Sequence, residues 1–191
     1  AMAASPPTAP TRTALLLAFA TIYLVWGSTY LGIRIAVGSM PPFAMASARF
    51  LIAGALLFIV LKLRGAQWPT LAQLREHALI GTFLLLGGNG LVAWAEQYIP
   101  SGIAALLIAI GPLFVVLTEW AWPGGSRPTF RTFGALLLGL VGVAWLAAPW
   151  EAASHGSLDG AGVIAVLSAC AFWAIGSIAS RHARSGASPL Y

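Results

Sequence analysis

The chain alternates long apolar runs with short polar stretches. Predominantly apolar runs lie at 13–36, 43–61, 78–99, 102–122, 133–148 and 160–183. A helix needs about 20 apolar residues to cross the hydrocarbon core of a bilayer, which is roughly 30 Å thick. The pattern therefore predicts six membrane-spanning helices.

The apolar runs favour helices over the strands of a β-barrel. They lack the alternation of a barrel strand, and an open sheet would leave backbone groups without hydrogen-bond partners in lipid. Proline ends a helix because it lacks an amide donor and restricts the residue before it. The connections contain Pro41, Pro42, Pro100, Pro123 and Pro128. Short connections predict antiparallel neighbours, so the expected fold class is an all-α, polytopic transmembrane helical bundle.

The composition excludes a water-soluble globular domain. Hydrophobic residues make up 59% of the chain and charged residues only 8%, whereas soluble domains carry about 25% charged residues. Ten Lys and Arg against five Asp and Glu give a net charge of +5. These charges lie between the apolar runs and not along one face, so we interpret them as signals of topology and expect no nucleic-acid partner.

The distribution of basic residues predicts the orientation in the membrane. Cytoplasmic loops of membrane proteins carry an excess of Lys and Arg. An N-terminus in the cytoplasm leaves only Arg34 near the outer surface and Arg49 within a span. We therefore expect residues 1–12 to be a cytoplasmic tail. The basic residues then on the cytoplasmic side are Arg12, Lys62, Arg64, Arg75, Arg127, Arg131, Arg181 and Arg184.

The first and sixth runs resemble each other. YLVWGSTYLGIRIAVGSMPP, from Tyr23, aligns without a gap on CAFWAIGSIASRHARSGASP, from Cys170. The identical pairs are Trp26 with Trp173, Arg34 with Arg181, Ala36 with Ala183, and Pro42 with Pro189. The repeat unit is then five spans: a first repeat at 13–150, and at 160–191 the start of a second repeat that is cut short.

A five-span repeat has a direct consequence for topology. An odd number of spans reverses direction, so the second copy lies inverted in the membrane. Inverted repeats are typical of secondary transporters, in which two halves enclose a site near the bilayer midplane and open it to alternate sides. We therefore expect a ten-helix, five-plus-five inverted-repeat fold, of which about six helices are present.

Residues near the predicted bilayer centre are the candidates for substrate binding. Trp26, Thr29 and Tyr30 share a face of the first helix, and Trp173 and Ser177 share the matching face of the sixth. Tryptophan at this depth, away from its usual position at the headgroups, indicates contact with protein or a cavity. The alternative is simple packing against a neighbouring helix. A pocket with aromatic walls and a few hydroxyls suits a small organic molecule better than an ion.

Two further features fall near the bilayer centre. The run GGNG places the amide of Asn89 in the third helix, where it needs partners that lipid cannot supply. Asn89 is therefore a candidate substrate ligand, or else makes an interhelical hydrogen bond. Pro112 frees a carbonyl near Ile108, which either creates a hinge in the fourth helix or shapes its packing.

Arg49 and Glu96 are expected to form a structural ion pair. Arg49 lies about two turns inside the outer surface, where an unpaired guanidinium would be costly, and Glu96 lies at a comparable height in the third helix. The alternative is an arginine that extends to a lipid phosphate.

The remaining residues carry little chemistry. Cys170 is the only cysteine, so disulfides and cysteine metal sites drop out, and we expect no metal and no cofactor. An intramembrane enzyme would need a nucleophile with a base, or paired acids, at one depth, and the sequence offers neither. Small residues recur in the fifth helix and indicate close packing within the chain or in a homodimer: Gly134, Ala135, Gly139 and Gly142.

Several segments together resemble the EamA-type proteins of the drug/metabolite transporter superfamily. They are WGSTYLGIRIA, PPFAMASARFLIAGALL, GGNGLVAWAEQYIPSGIAALLIAIGPLFVVL and GALLLGLVGVAWL, and they cover nearly the whole chain. The resemblance implies ten helices in two inverted repeats, cytoplasmic termini and export of amino acids or other small metabolites from bacteria. It also implies a cavity lined by Trp26, Thr29, Tyr30, Asn89, Trp94 and Trp173.

Two departures from the family pattern concern acidic residues. Many members carry a Gly-Glu pair after the fourth helix, where this chain has Gly124, Gly125 and Ser126. The first helix also lacks the embedded glutamate of the small multidrug relatives, which speaks against proton antiport by their route.

The sequence as a whole predicts a secondary transporter of the bacterial inner membrane. It would export a small organic metabolite, an amino acid or a related compound, by alternating access. The alternatives are an intramembrane enzyme and a membrane scaffold that transports nothing.

Overall fold

The computed structural model describes residues 11–147 and 159–183. The predicted tail up to residue 10, the connection containing Glu151, and the repeat partner Pro189 lie outside these ranges. Every regular element in the described ranges is helical, which confirms the predicted fold class. The elements are α1 (Arg12–Val37), α2 (Pro42–Leu63), α3 (Leu71–Gly81), a π segment (Thr82–Gly90), α4 (Leu91–Ala95), α5 (Ser101–Ile108), α6 (Gly111–Ala121), α7 (Phe130–Ala147) and α8 (Gly160–His182).

These elements form five stretches that are long and apolar enough to cross a membrane. Two of them are continuous through several elements: α3, the π segment and α4 make the third span, Leu71–Ala95, and α5 with α6 makes the fourth span, Ser101–Ala121. The helices α1, α2 and α8 are the others. The fifth predicted span, α7, carries a shorter apolar stretch, Phe130–Trp145.

The third span begins earlier than the apolar run indicated. It starts at Leu71 and not at residue 78, because Thr70 and Gln73 form a capping box. The backbone N–H of Gln73 donates to Thr70 Oγ1 at 3.3 Å, and Thr70 N–H donates to Gln73 Oε1 at 2.8 Å. This reciprocal cap satisfies free amides of the first turn and begins the helix in a polar stretch that hydropathy alone assigns to a connection.

Both central spans depart from a regular α-helix near their middle. The third span is π-helical from Thr82 to Gly90, the glycine-rich stretch in which the α-helix is intrinsically weakest. The fourth span is interrupted between Ile108 and Gly111, immediately before Pro112, whose missing amide cannot continue the α-helical ladder. The irregularities lie at the depth where the sequence places Asn89 and Pro112.

The closest packing joins α8 to the third span. A Cβ on Gly87 would lie 2.7 Å from Phe172 Cγ, and one on Gly176 would lie 2.8 Å from Leu84 Cγ. Further along, a Cβ on Gly162 would meet Ile99 Cγ2 at 2.8 Å. Contacts that advance along α8 while receding along the third span make the two antiparallel, and only glycine permits this approach.

The buried core follows this contact. Its main cluster joins α4, α5 and α8, and a smaller cluster of Ile33, Met45 and Ala93 ties α1 and α2 to the third span. Large apolar side chains on the outer faces of α1, α2 and α7 are exposed, as expected for surfaces that meet lipid. The main cluster consists of Ala95, Ile99, Ala104, Ala165, Val166 and Cys170.

The bundle has two distinct ends. At one end α1 finishes, Arg34 reaches Glu96, and α8 begins, so α1 and α8 run in opposite directions. We refer to it as the Glu96 end. At the other, the Glu119 end, Arg181 Nη2 and Glu119 Oε2 form a salt bridge at 2.6 Å.

The small residues of α7 are not used for packing among the described residues. A Cβ on Gly134, Gly139 or Gly142 would meet no heavy atom within 4 Å. The close-packing face predicted from the sequence is therefore uncovered in this part of the chain.

Replacing Gly87 by alanine is expected to destabilise the bundle. The new methyl would lie 2.8 Å from Phe172 Cβ, which rotation of the phenylalanine ring cannot move. Overpacking of this kind costs about 1–3 kcal/mol. Gly81→Ala is the matched control, because no heavy atom lies within 4 Å of its new methyl. Thermal unfolding of the purified full-length protein should show a lower midpoint for Gly87→Ala alone, and equal midpoints for the two variants would contradict the close packing.

Candidate functional site

A cavity opens between α1, the third span, the fourth span and α8. Its volume is about 540 Å³. The predicted midplane residues of four helices meet at this cavity, and most of its remaining wall is aliphatic. The lining residues are Trp26, Thr29, Tyr30, Ile33, Gly88, Asn89, Val92, Ile108, Gly111, Pro112, Val115, Val116, Ala169, Cys170 and Trp173.

Six of the eight predicted site residues lie in this lining and two do not. The six are Trp26, Thr29, Tyr30, Asn89, Pro112 and Trp173. The Trp94 ring lies tilted against the Tyr98 ring, with 4.6 Å between their centroids, and packs on the main core cluster. Ser177 is half-buried one turn past Trp173 toward the Glu119 end, beyond the cavity. Binding of a substrate by the six stays a prediction.

The polar groups of α1 are arranged by bonds within the helix. Trp26 Nε1 donates to Tyr30 Oη at 3.3 Å, one turn away. Thr29 Oγ1 donates to the Val25 carbonyl at 2.8 Å. The Tyr30 hydroxyl accepts the indole N–H, so its own proton is free for a ligand. The Thr29 oxygen, having donated its proton, can accept one.

Asn89 is held from two sides. Its Nδ2 donates to the Leu84 carbonyl at 3.0 Å, within the π segment. Its Oδ1 accepts a long hydrogen bond, 3.4 Å, from Nη2 of Arg49 on α2. The interhelical bond considered from the sequence is therefore present. The amide still has one N–H and one lone pair with which to meet a ligand.

The predicted ion pair between Arg49 and Glu96 is wrong. Arg49 turns to Asn89 and lies over the Phe50 ring, 4.5 Å from its centroid. The residue bonded to Glu96 is instead Arg34 of α1, whose guanidinium donates to the backbone carbonyl of Glu96. A similar depth did not bring the two side chains together, because α1 and not α2 presents the basic residue nearest to Glu96.

Sequence reasoning missed the apolar walls and Cys170. Helical spacing could have found several of them, because residues three or four apart share a face. Cys170 precedes Trp173 by three, Ile33 follows Thr29 by four, and Val92 follows Asn89 by three. The partnership of Asn89 with Arg49 has no such signal, since it joins two different helices.

The cavity lining carries few ionisable groups. None of the lining residues is an acid, a histidine, a lysine or an arginine, so the thiol of Cys170 has no base among them. In the described ranges no three His, Cys, Asp or Glu side chains come together as a metal site would require. The walls can enclose a small organic molecule through aromatic and aliphatic contacts, with Tyr30, Thr29 and Asn89 as polar contacts.

Comparison with known sequences identifies the family. Residues 12–148 match the EamA-like transporter family. The chain belongs to this family. The matched residues contain α1 to α7, which make up the first five of the six predicted spans. No solved structure matches the chain.

Curated EamA-type relatives are named as transporters. The chain is 42% identical over 160 residues to the uncharacterized inner membrane transporter YedA of Escherichia coli K12, covering 82% of this chain and 50% of that protein. It is 33% identical over 174 residues to the uncharacterized transporter YvbV of Bacillus subtilis, covering 88% and 53%. A probable terminal-alkyne amino-acid exporter of Streptantibioticus cattleyicolor is 29% identical over 124 residues, covering 65% and 41%. The chain thus spans about half the length of these relatives.

Removing Arg49 is expected to act through Asn89. Arg49→Met leaves Asn89 Oδ1 without its donor, and Asn89→Leu removes the need for one, so the two changes should not add. A coupling of about 0.5–3 kcal/mol is expected in a double-mutant cycle of unfolding free energies. The control cycle pairs Arg49→Met with Glu119→Gln at the far end, where additivity is expected. Additive effects in both cycles would show that the hydrogen bond contributes nothing.

Proposed function

We propose that this chain forms part of a secondary transporter that exports a small organic metabolite across the bacterial inner membrane by alternating access. The observation that carries the proposal is the cavity that gathers Trp26, Tyr30, Asn89, Pro112 and Trp173. Membership of the EamA-like family supports the transporter class.

The depth of the cavity supports transport. Trp26 lies near the middle of α1 and Trp173 near the middle of α8, so a bilayer around the bundle would place the cavity close to its midplane. Secondary transporters bind their substrates there, between pseudo-symmetric halves. The opposite directions of α1 and α8 are those that an inverted repeat requires of its first and sixth helices.

Two breaks in the cavity wall supply places where helices can bend. The π segment carries Gly88 and Asn89, and the interruption before Pro112 carries Ile108 and Gly111. Non-α backbone in a membrane is tolerated where it is covered by protein or lines a cavity. Bending at these points would open one end of the cavity while the other stays closed.

The distribution of charge supports the orientation in the membrane that we propose. Basic residues concentrate at the Glu119 end, which the positive-inside tendency assigns to the cytoplasm. The Glu96 end then faces outward, and the N-terminus is cytoplasmic. The inner membrane is the location named for YedA.

The substrate we propose is an amino acid or a related compound. A volume of about 540 Å³ lies within the range of small-molecule sites. The exporter of Streptantibioticus cattleyicolor is named for amino acids that carry a terminal alkyne, an apolar group that aromatic walls would suit.

A stability screen of the full-length protein against amino acids and small metabolites tests this function. Only a ligand that binds the folded state raises its unfolding temperature. At a ligand concentration a hundred times the dissociation constant, the free energy of unfolding rises by about 2.7 kcal/mol. Trp26→Ala and Asn89→Ala should each weaken binding about tenfold, which removes about 1.4 kcal/mol of that gain.

Trp120→Ala is the control for the loss of a tryptophan, because Trp120 is exposed on α6 and lies outside the cavity lining. It should leave the ligand-induced shift unchanged. Equal shifts in all three variants would exclude the cavity as the binding site. Proteoliposomes that hold a stabilising compound and show no exchange of it would contradict transport.

A further inference from the structure

Glu96 is the most unusual charged residue among those the structure describes. It directly follows α4, its side chain is 0% exposed, and neither Oε1 nor Oε2 has a hydrogen-bond partner in the described part of the chain. Carboxylates are rarely buried without donors, because desolvation of the charge is then uncompensated. The function proposed above leaves this group unexplained.

Glu96 lies immediately beyond the cavity. It follows the lining residue Val92 by four residues, so the two lie on the same face, and Glu96 is one turn further from the cavity. On α1, Arg34 follows the lining residue Tyr30 by the same four residues. The guanidinium of Arg34 donates to the Glu96 carbonyl and so joins α1 to the third span just past the cavity.

This contact joins α1 and the third span next to the cavity, and their separation there would open the cavity at the Glu96 end. Arg34 is exposed and bonds to the Glu96 backbone, whereas the Glu96 carboxyl is buried, so the elements around it must move before water can hydrate it. Separation would therefore open the cavity and hydrate the carboxyl in the same movement.

Burial and charge act on Glu96 in opposite senses. Burial favours the neutral acid and raises the pKa of Glu96 from its ordinary value of 4.5 to about 7, against the opposing effect of the Arg34 guanidinium. The neighbouring elements add few other charges: Arg49 is turned to Asn89, and the carboxylate of Asp159 caps α8 through Ala161 and Gly162. The π segment and α5 carry no ionisable side chain. The ionisable groups of the elements around α4 at this end are Tyr30, Arg34, Arg49, Tyr98, Asp159 and Cys170.

We propose that Glu96 is a proton-binding site that controls opening of the cavity at the Glu96 end. With the end closed, Glu96 is a buried carboxylic acid; with it open, the O–H bond breaks, the proton passes to water, and the hydrated carboxylate remains. Closure reverses the step and takes one proton from the aqueous side. This inference rests on the proposed function only for the meaning of the opening, since proton binding itself requires no substrate.

The sign of the pH dependence follows from linkage. The closed form holds the proton more tightly, so proton binding stabilises the closed form. This stabilisation is complete below about pH 4.5 and is lost above about pH 7. Between these limits, release of one proton changes the ratio of open to closed protein by about tenfold per pH unit. Alkaline medium therefore favours opening.

Cys170 provides a reporter inside the cavity. It lines the wall, it is the only cysteine among the 191 residues, and it is 5% exposed. The experiment measures its rate of reaction with a membrane-impermeant maleimide in full-length protein from which any cysteine beyond these residues has been removed. Spheroplasts report access from outside and inverted membrane vesicles report access from the cytoplasm. The rate is divided at each pH by that of Glu96→Gln, so the titration of the thiol itself cancels.

The expected ratio of wild type to Glu96→Gln rises more than tenfold from pH 5 to pH 7 in spheroplasts and levels off above pH 7. Glu119→Gln, which removes a carboxylate at the opposite end, is expected to follow the wild-type curve. A ratio that does not change with pH overturns the proposal. A rise found only in inverted vesicles supports the proton site and contradicts the orientation given above.

Two further measurements guard against a merely structural effect. The infrared difference between wild type and Glu96→Gln should contain the C=O stretch of a protonated carboxyl at pH 6 that disappears by pH 8.5, and its absence at pH 6 overturns the proposal. If Glu96→Gln does not fold, the labelling rates of wild type are compared directly with those of Arg34→Gln, which keeps both Glu96 and Cys170. Loss of the guanidinium should move the levelling-off of the rate to higher pH, and an unmoved curve overturns the proposal. A positive result in a protein that binds no metabolite would reject the transport function and leave the proton site intact.

Discussion

The approach of α8 to the third span is the contact on which the rest of the bundle depends. Lipid tails are as apolar as leucine, so helices in a bilayer associate through close fit and not through exclusion of water. Gly87 and Gly176 remove the side chains that would hold the two backbones apart. The resulting contact brings Trp173 and Cys170 to the cavity and, at Gly162, brings α8 against Ala95 and Ile99, which flank Glu96 in the sequence.

The sequence carried enough information for the fold class and for the depth of the site. Apolar runs of the right length locate helices because the bilayer sets that length, and counting along each helix put Trp26, Asn89, Pro112 and Trp173 at one level. The sequence did not reveal the capped start at Thr70, the π segment or the interruption before Pro112. These depend on local hydrogen bonds that a hydropathy pattern does not contain.

The depth of a residue in the membrane does not determine which neighbouring helix its side chain faces. The wrong predictions at the site come from this difference. Trp94 packs on Tyr98 and the core, and Ser177 lies a turn past the cavity. Arg49 and Glu96 are matched in height but do not meet: Arg49 donates to Asn89, and Arg34 donates to the backbone carbonyl of Glu96. Which helices are neighbours is a property of packing, and a single sequence encodes it only through the sizes of side chains at contacts not yet known.

The π segment makes the length of the third span as important as its composition. In a π-helix each amide bonds to the carbonyl five residues earlier, so a wide turn accommodates one residue more than an α-helix would. Deleting a single residue between Thr82 and Gly88 would allow an ordinary α-helix to form. The helix on either side would keep its facing, whereas the same deletion from a regular α-helix would turn one side by about 100° relative to the other. The wide turn therefore absorbs a residue that would otherwise rotate Asn89 away from Arg49 and the cavity.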